Sequence, residues 1–248
     1  MKRIKKVLGC LRKADQDYDL IQDGDVIAVG LSGGKDSSVL LYCLYLYQMF
    51  SKKDYKIIGL HLDMGFGESN FPFLQEFFDR YSIETLSHPT QINEILKLNA
   101  NESGKISCSL CSTLRKGAVI NKAKELGCNK IAFGHHSDDA VETLFMNMIH
   151  GGRVATFQPK MYLERSKVMF IRPLIYAYET DIIKVAEELD IPIVKNNCPN
   201  DGYSERAEIK SMLKEIYHKY PGAKDNFQLM LRNHEKIELF DPKKEQSE

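Results

Sequence analysis

Asp25-Val-Ile-Ala-Val-Gly-Leu-Ser-Gly-Gly-Lys-Asp-Ser37 is a short apolar run that breaks into two glycines and a charged, hydroxyl-bearing turn. Such a run reads as a strand buried on both faces, the pattern of an inner strand in a parallel sheet. The residues after it, Val39-Leu-Leu-Tyr-Cys-Leu-Tyr-Leu-Tyr47, are apolar almost all round, which suits a helix packed deep in an α/β layer. A glycine turn between strand and helix lets backbone N–H groups approach an anion, and the helix dipole favours negative charge there. A phosphate-binding turn is therefore the expectation for Ser32, Gly33, Gly34, Lys35, Asp36 and Ser37. It is not a Walker A loop, because Val29 stands where the first glycine belongs and Asp36 follows the lysine. It also lacks the G-x-G-x-x-G spacing of dinucleotide folds. An acid beside the lysine suits a nucleotide triphosphate with its Mg²⁺, which Asp36 can hold while Lys35 neutralises phosphate oxygens.

Working outward, Lys56–Leu62 repeats the buried-strand character, with weaker candidates at 83–86, 130–133 and 191–194. Helical patterns fall near 36–50, 71–81, 112–127, 138–149, 179–189, 204–219 and 223–238. Strand–helix alternation predicts an α/β, Rossmann-like, doubly wound parallel sheet with C-terminal helices. The chain divides into a basic N-terminal arm and loop (1–24), a nucleotide-binding domain (25–200), and C-terminal helices with a tail (201–248). Within the arm, Lys2, Arg3, Lys5, Lys6, Arg12 and Lys13 occur without an acid, so a contact with RNA phosphates is one reading and a solvated arm the other. Over the full 248 residues, 34 basic residues meet 34 acidic ones, so no large basic field exists in the total. No apolar run nears the ~20 residues of a membrane span, and the start lacks the features of a secretory signal. The expectation is a cytoplasmic protein without a membrane partner.

Six cysteines lie at 10, 43, 108, 111, 128 and 198. Cys43 reads as core, and Cys10 and Cys128 as packed thiols. Cys108-Ser-Leu-Cys111 precedes a helical stretch with Arg115 and Lys116, surroundings that favour thiolates. Cys198 follows the 191–194 segment, and loops at the carboxyl ends of parallel strands converge on one edge. Spacing alone leaves open a redox dithiol, a zinc site, a three-thiolate iron–sulfur cluster with one open iron, and plain buried thiols. Gly134-His-His-Ser-Asp-Asp139 reads as a polar loop facing the nucleotide. In it Asp138 and Asp139 either hold Mg²⁺ or cap the next helix. Arg115 can stabilise a leaving pyrophosphate or lie solvated, and Arg172 can face phosphate or RNA, or be a plain surface arginine.

Ser32–Ser37 resembles the signature of the PP-loop ATP pyrophosphatases, enzymes that cleave ATP between the α and β phosphates and pass AMP to a substrate oxygen. Within them the chain is most similar to the TtcA type, which forms 2-thiocytidine in tRNA. The matching segments are Ser32–Ser37, Cys108–Arg115, Gly134–Met148, Gly151-Gly152, Arg172-Pro-Leu174 and Cys198, with Arg206, Met212-Leu213 and Tyr220-Pro-Gly222 beyond. The resemblance spans about residues 1–235 and departs from the family at Asn196-Asn197-Cys198-Pro199, where a C-x-x-C-G run is common. It implies an adenine-nucleotide α-hydrolase type of fold. It implies Lys35, Asp36, Arg115 and Asp139 as catalytic groups, Ser32–Ser37 and Gly134 as the ATP site, and Cys108, Cys111 and Cys198 as ligands of a [4Fe-4S] cluster whose free iron carries sulfide, with zinc as the alternative. The implied partners are tRNA, a sulfur donor such as a cysteine desulfurase, and a second copy of the chain. Two rivals stand beside it: a PP-loop enzyme that amidates or ligates another substrate, and a non-catalytic metal- or nucleotide-binding protein.

Overall fold

The computed structural model describes residues 2–67, 70–100, 106–194, 205–236 and 239. The inner strand β1 (Val26–Leu31) pairs in parallel with β2 (Lys56–Asp63) on one side and β4 (Lys130–Ala132) on the other. β3 (Thr85–Pro89) extends the sheet beyond β2, while β6 (Val168–Ile171) and the antiparallel β5 (Lys160–Leu163) extend it beyond β4. The order is β3-β2-β1-β4-β6-β5. Alternate residues of β1 serve opposite layers, as a period of two requires. Ile27, Val29 and Leu31 join the larger core with α1 (Lys2–Tyr18), α2 (Lys35–Ser51) and α7 (Glu179–Glu188). Ala28 packs with Ile58, Leu60, Ile131 and the Val119–Ala123 stretch of α5 (Cys108–Glu125). Each such aliphatic side chain removed from water stabilises the fold by about 1.5–3 kcal/mol, so burial on both faces fixes β1 as the centre.

The doubly wound parallel architecture read from the sequence is present, with α8 (Glu205–Lys219) and α9 (Ala223–Met230) as its C-terminal helices. Four local features differ. Residues 2–18 form a helix with Ile4, Val7, Leu11 and Ala14 buried at helical spacing, and its Arg3 and Lys6 both pair with Asp181 of α7. Residues 191–194 form no strand. Pro192 lacks the N–H a ladder needs, and the segment instead runs to the glycine turn, where Val194 donates its N–H to the Gly33 carbonyl (2.9 Å). The β5–β6 hairpin and α4 (Ile92–Leu98) add elements that the sequence pattern did not signal. The helix expected over 223–238 ends at Met230, before a 3₁₀ turn at His234–Lys236. Among the described residues no helix is long and apolar enough to cross a membrane.

Strand order reverses direction between β1 and β4, and crevices at the carboxyl ends of such strands are where open α/β sheets bind ligands.

Candidate active site

The turn after β1 is closed by its own serines. Ser32 N–H donates to Ser37 Oγ (3.1 Å), and Ser37 and Ser38 hydroxyls reach the Gly34 carbonyl (3.2 and 3.1 Å). Gly33 sits at φ +83°, and a Cβ there would stand 2.5 Å from Val194 Cβ, so the turn requires glycine for both backbone and space. No side chain caps the N-terminus of α2, which leaves its first-turn N–H groups to water or an anion. The turn after β4 presses directly on this one: a Cβ on Gly134 would lie 2.8 Å from the Asp36 and Ser37 backbone. α6 (Ser137–Gly151) then begins with a capping box, in which Asp139 Oδ2 accepts the His136 N–H (2.9 Å) and the His136 ring accepts the Asp139 N–H. His136 Nε2 stands 3.7 Å from Asp36 Oδ1 and 3.4 Å from Asp139 Oδ2, so one buried imidazole separates the two carboxylates.

Above these turns opens a cavity of about 560 Å³. Its floor comprises Gly30–Ser32, Asp36, Ser37, Gly134, His135 and Asp139. One wall is the end of β2 with His61, Leu62 and Met64, faced by Ser112, Arg115 and Lys116 of α5; Arg172, just past β6, lines the other side. Three of the four fully buried side-chain atoms without a partner among the described residues belong to this cavity: Asp36 Oδ1, His135 Nδ1 and Arg172 Nε. Native interiors rarely leave such atoms unpaired without a ligand, ion or water.

A PP-loop domain model matches residues 9–216, well over half of the chain. The chain belongs to the PP-loop family. Relatives named tRNA-cytidine(32) 2-sulfurtransferase include those of Dechloromonas aromatica (strain RCB), 37% identical over 94% of this chain and 82% of that protein, and Ralstonia pickettii (strain 12J), 40% identical over 89% of this chain and 70% of that protein. Among solved structures, the U34-tRNA thiolase NcsA from Methanococcus maripaludis with its [4Fe-4S] cluster is similar at TM-score 0.73 and 26% identity, covering 95% of this chain and 80% of that one.

This PP-loop protein gathers most of the sequence-derived site. Ser32, Asp36, Ser37, Arg115, Gly134 and Asp139 all line the cavity. Gly33, Gly34 and Lys35 do not: the Lys35 Nζ lies 3.2 Å from Asp36 Oδ2 and 3.1 Å from Glu179 Oε1, and Lys210 of α8 also reaches Glu179 (2.7 Å). Burial works to raise the Glu179 pKa, but the Lys210 hydrogen bond and the Lys35 charge outweigh it and hold the carboxyl down at about 2. Asp138 serves the fold, accepting the Glu179 N–H (2.8 Å) and pairing with Lys224. Asp139 meets Arg206 of α8 (3.4 Å), which also reaches buried Glu142 (3.5 Å).

The cysteine pair opens α5. Ser107 caps the helix, its Oγ accepting the Leu110 N–H (3.3 Å), and Cys108 and Cys111 fall in the first turn. Cys108 is exposed, and Cys111 packs beside Ile92, Leu96, Ile106, Met64 and Phe66. Residues 108, 112 and 115 follow one helical stripe, and Ser112 and Arg115 of that stripe line the cavity. Neither cysteine lines the cavity itself; Cys111 lies one helical turn before Arg115, which does. Cys198, the third expected ligand, lies outside the described residues; the chain is last described before it at Val194, itself a lining residue.

Sequence reasoning missed His61. Burial lowers its pKa, its Nδ1 lies 3.0 Å from the Leu31 carbonyl oxygen, and its ring stacks on Phe71 at 4.5 Å. Its signal was a polar residue at the carboxyl end of an inner strand. Glu179 was missed as well, because its partner Lys35 is 144 residues away.

Proposed function

We propose that this chain is an ATP-dependent tRNA sulfurtransferase that adenylates the 2-oxygen of a cytidine and replaces that oxygen with sulfur. The observation that carries the reading is the cavity shared by the phosphate-binding turn and α5: Ser32, Asp36 and Ser37 line its floor, and Arg115, one helical turn after Cys111, lines its wall. The relatives named for this reaction and the cluster-bearing thiolase fold support it.

The chemistry follows from what each group presents. A 2-oxo group leaves poorly until AMP is attached to it. The amides of Ser32–Ser37 and the uncapped start of α2 favour the pyrophosphate as its charge develops. Asp36 and Asp139 both line the cavity with the His136 ring between them, and either carboxylate could supply an oxygen to a Mg²⁺ that would neutralise the phosphates. Arg115 supplies positive charge between the cysteine turn and the floor. Lys35 joins the phosphates by leaving Glu179. Cys108 and Cys111, one helical turn apart at a helix start, fit the thiolate donors of a cluster, with Cys198 as third ligand. Three thiolates suit a cluster with one open iron better than zinc, which takes four protein ligands in closed sites. When bound, the cluster supplies a place to hold sulfur beside the activated carbon. The cysteine turn confines that chemistry to the side of the cavity where Arg115 points.

The reading includes a cytoplasmic setting, a sulfur donor such as a cysteine desulfurase, and a homodimer. Nucleoside analysis of tRNA from cells lacking this protein tests it: loss of 2-thiocytidine is expected, and an unchanged thiolated-nucleoside profile overturns it.

A further inference from the structure

Among the described residues, Arg172 is a buried cation with no carboxylate beside it. It follows β6 directly, is 7% exposed, and lines the cavity. Its Nη1 donates to the Gln158 carbonyl and its guanidinium lies over the Phe157 ring at 4.8 Å, which fixes the side chain in place. Among the described residues no carboxylate pairs with it, and its Nε–H has no acceptor. Burial alone pulls its pKa down, with no acid restoring it. A buried cation without an anion is costly, and a fold that fixes one at a cavity wall leaves a place for negative charge. His135 repeats the theme. Its ring packs on the same Phe157 (5.1 Å), its Nδ1 is unpartnered, and burial drives its pKa down to about 4, so it stays a neutral hydrogen-bonding group.

We propose that Arg172 binds the α-phosphoryl group of the nucleotide, its guanidinium donating to a non-bridging oxygen of the phosphate that stays behind when pyrophosphate leaves. The assignment rests on the ATP-dependent reading above and adds which phosphate meets which cation. β6 stands two strands from β1 in the sheet, about 10 Å across the edge at ~4.8 Å per strand. Arg172 thus approaches the nucleotide from the β6 side of the cavity, and the Ser32–Ser37 amides from the β1 side. The opposite wall sets Leu60, Leu62, Met64 and Phe66 beside Arg115 and Lys116 of α5, so Arg172 is the cation on its own side of the cavity. An RNA backbone phosphate would have to enter a buried floor, whereas a nucleotide fills the cavity from within. Charge on the α-phosphoryl is greatest while it is transferred, so this contact strengthens along the reaction.

AMP carries the α-phosphate alone, and pyrophosphate carries only the other two. Calorimetric titration of the purified full chain with each probe separates the sites. Arg172→Gln is expected to weaken AMP binding about 10- to 100-fold, the loss expected for one charge-assisted hydrogen bond, while pyrophosphate affinity stays within about twofold. Arg172→Lys keeps the charge and loses the planar fork; it is expected to fall between the two and serves as the test if the glutamine variant fails to fold. Unchanged AMP affinity in a folded Arg172→Lys or Arg172→Gln protein overturns the proposal. So does an equal loss of pyrophosphate, or loss of tRNA binding with AMP binding intact. Wild-type protein that binds neither probe would instead sink the nucleotide reading itself.

Discussion

The floor of the cavity and the rim beside it, the cysteine-bearing start of α5, are built in opposite ways. The floor is over-determined: serines close the glycine turn, Gly134 packs against the Asp36–Ser37 backbone, Val194 bonds to Gly33, and a capping box holds Asp139. The rim rests on one helix start, capped by Ser107, with Cys108 exposed. A nucleotide thus meets a preformed surface, which limits the ordering cost of binding. A metal group held by Cys108 and Cys111, as proposed, would contribute its own share of order, because ligation free energy adds to folding free energy. The two halves should therefore fail independently.

The largest effect belongs to the rim. Cys108→Ser is expected to abolish iron retention and lower tRNA thiolation by at least ~100-fold, beyond the 10–100-fold typical of residues that only support a metal ligand. ATP binding should stay within about twofold. Iron and sulfide analysis of anaerobically purified protein, with ATP titration, decides it; joint loss of both functions would mean the halves are one unit.

The mirror experiment is Gly134→Ala. The new methyl must displace backbone of the glycine turn. Overpacking of this kind costs about 1–3 kcal/mol. ATP affinity should drop about 10- to 100-fold with iron content unchanged. If ATP binds normally, the contact between the two turns does not shape the site.

Legibility in the sequence follows the same division. The floor could be read because its signals are local: an apolar run, two glycines, and a second glycine loop after another buried run. The direction of Lys35 could not, because Glu179 and Lys210, on two later helices, decide it. Arg172 stood as an even choice between phosphate or RNA and the plain surface until the β5–β6 hairpin, too short to show a period, carried it into the cavity. The charges of residues 2–13 drew attention away from Ile4, Val7, Leu11 and Ala14, whose spacing marks α1 as a core helix. At the rim the C-x-x-C spacing was visible, but its place beside Arg115 needed the helix start at Cys108.

The tie between the cavity floor and the C-terminal helices is electrostatic, and two carboxylates there should respond to pH in opposite senses. Glu179 titrates at about 2 in the fold, below the ~4.3 of a free glutamate. A depressed carboxylate contributes stability above its unfolded pKa, lost as pH falls from about 4.3 through 2. Glu179→Gln should therefore cost about 1 kcal/mol at pH 7, allowing for solvent screening of a partly exposed group. The difference from wild type should shrink toward pH 2.5 in thermal melts. A constant difference would mean the Lys35 and Lys210 pairs contribute nothing through charge.

Glu142 should show the smallest and reversed effect. It lies 4% exposed on α6, and burial, with the Asp139 charge adding to it, raises its pKa to about 7. A raised carboxyl contributes stability below its unfolded pKa of ~4.3, lost as pH climbs through 7. At pH 8 the folded protein carries a buried charge that Arg206, 3.5 Å away, only partly offsets. Glu142→Gln removes that charge along with the ion pair, so the variant should match wild type near pH 4.5 and exceed it by about 1 kcal/mol or less at pH 8. Arg206 belongs to α8 and also meets Asp139, so the measurement reports how firmly the C-terminal helices are tied to the cavity floor. A variant less stable than wild type at pH 8 would show the Arg206 fork to be a net attachment rather than a compromise between two crowded acids.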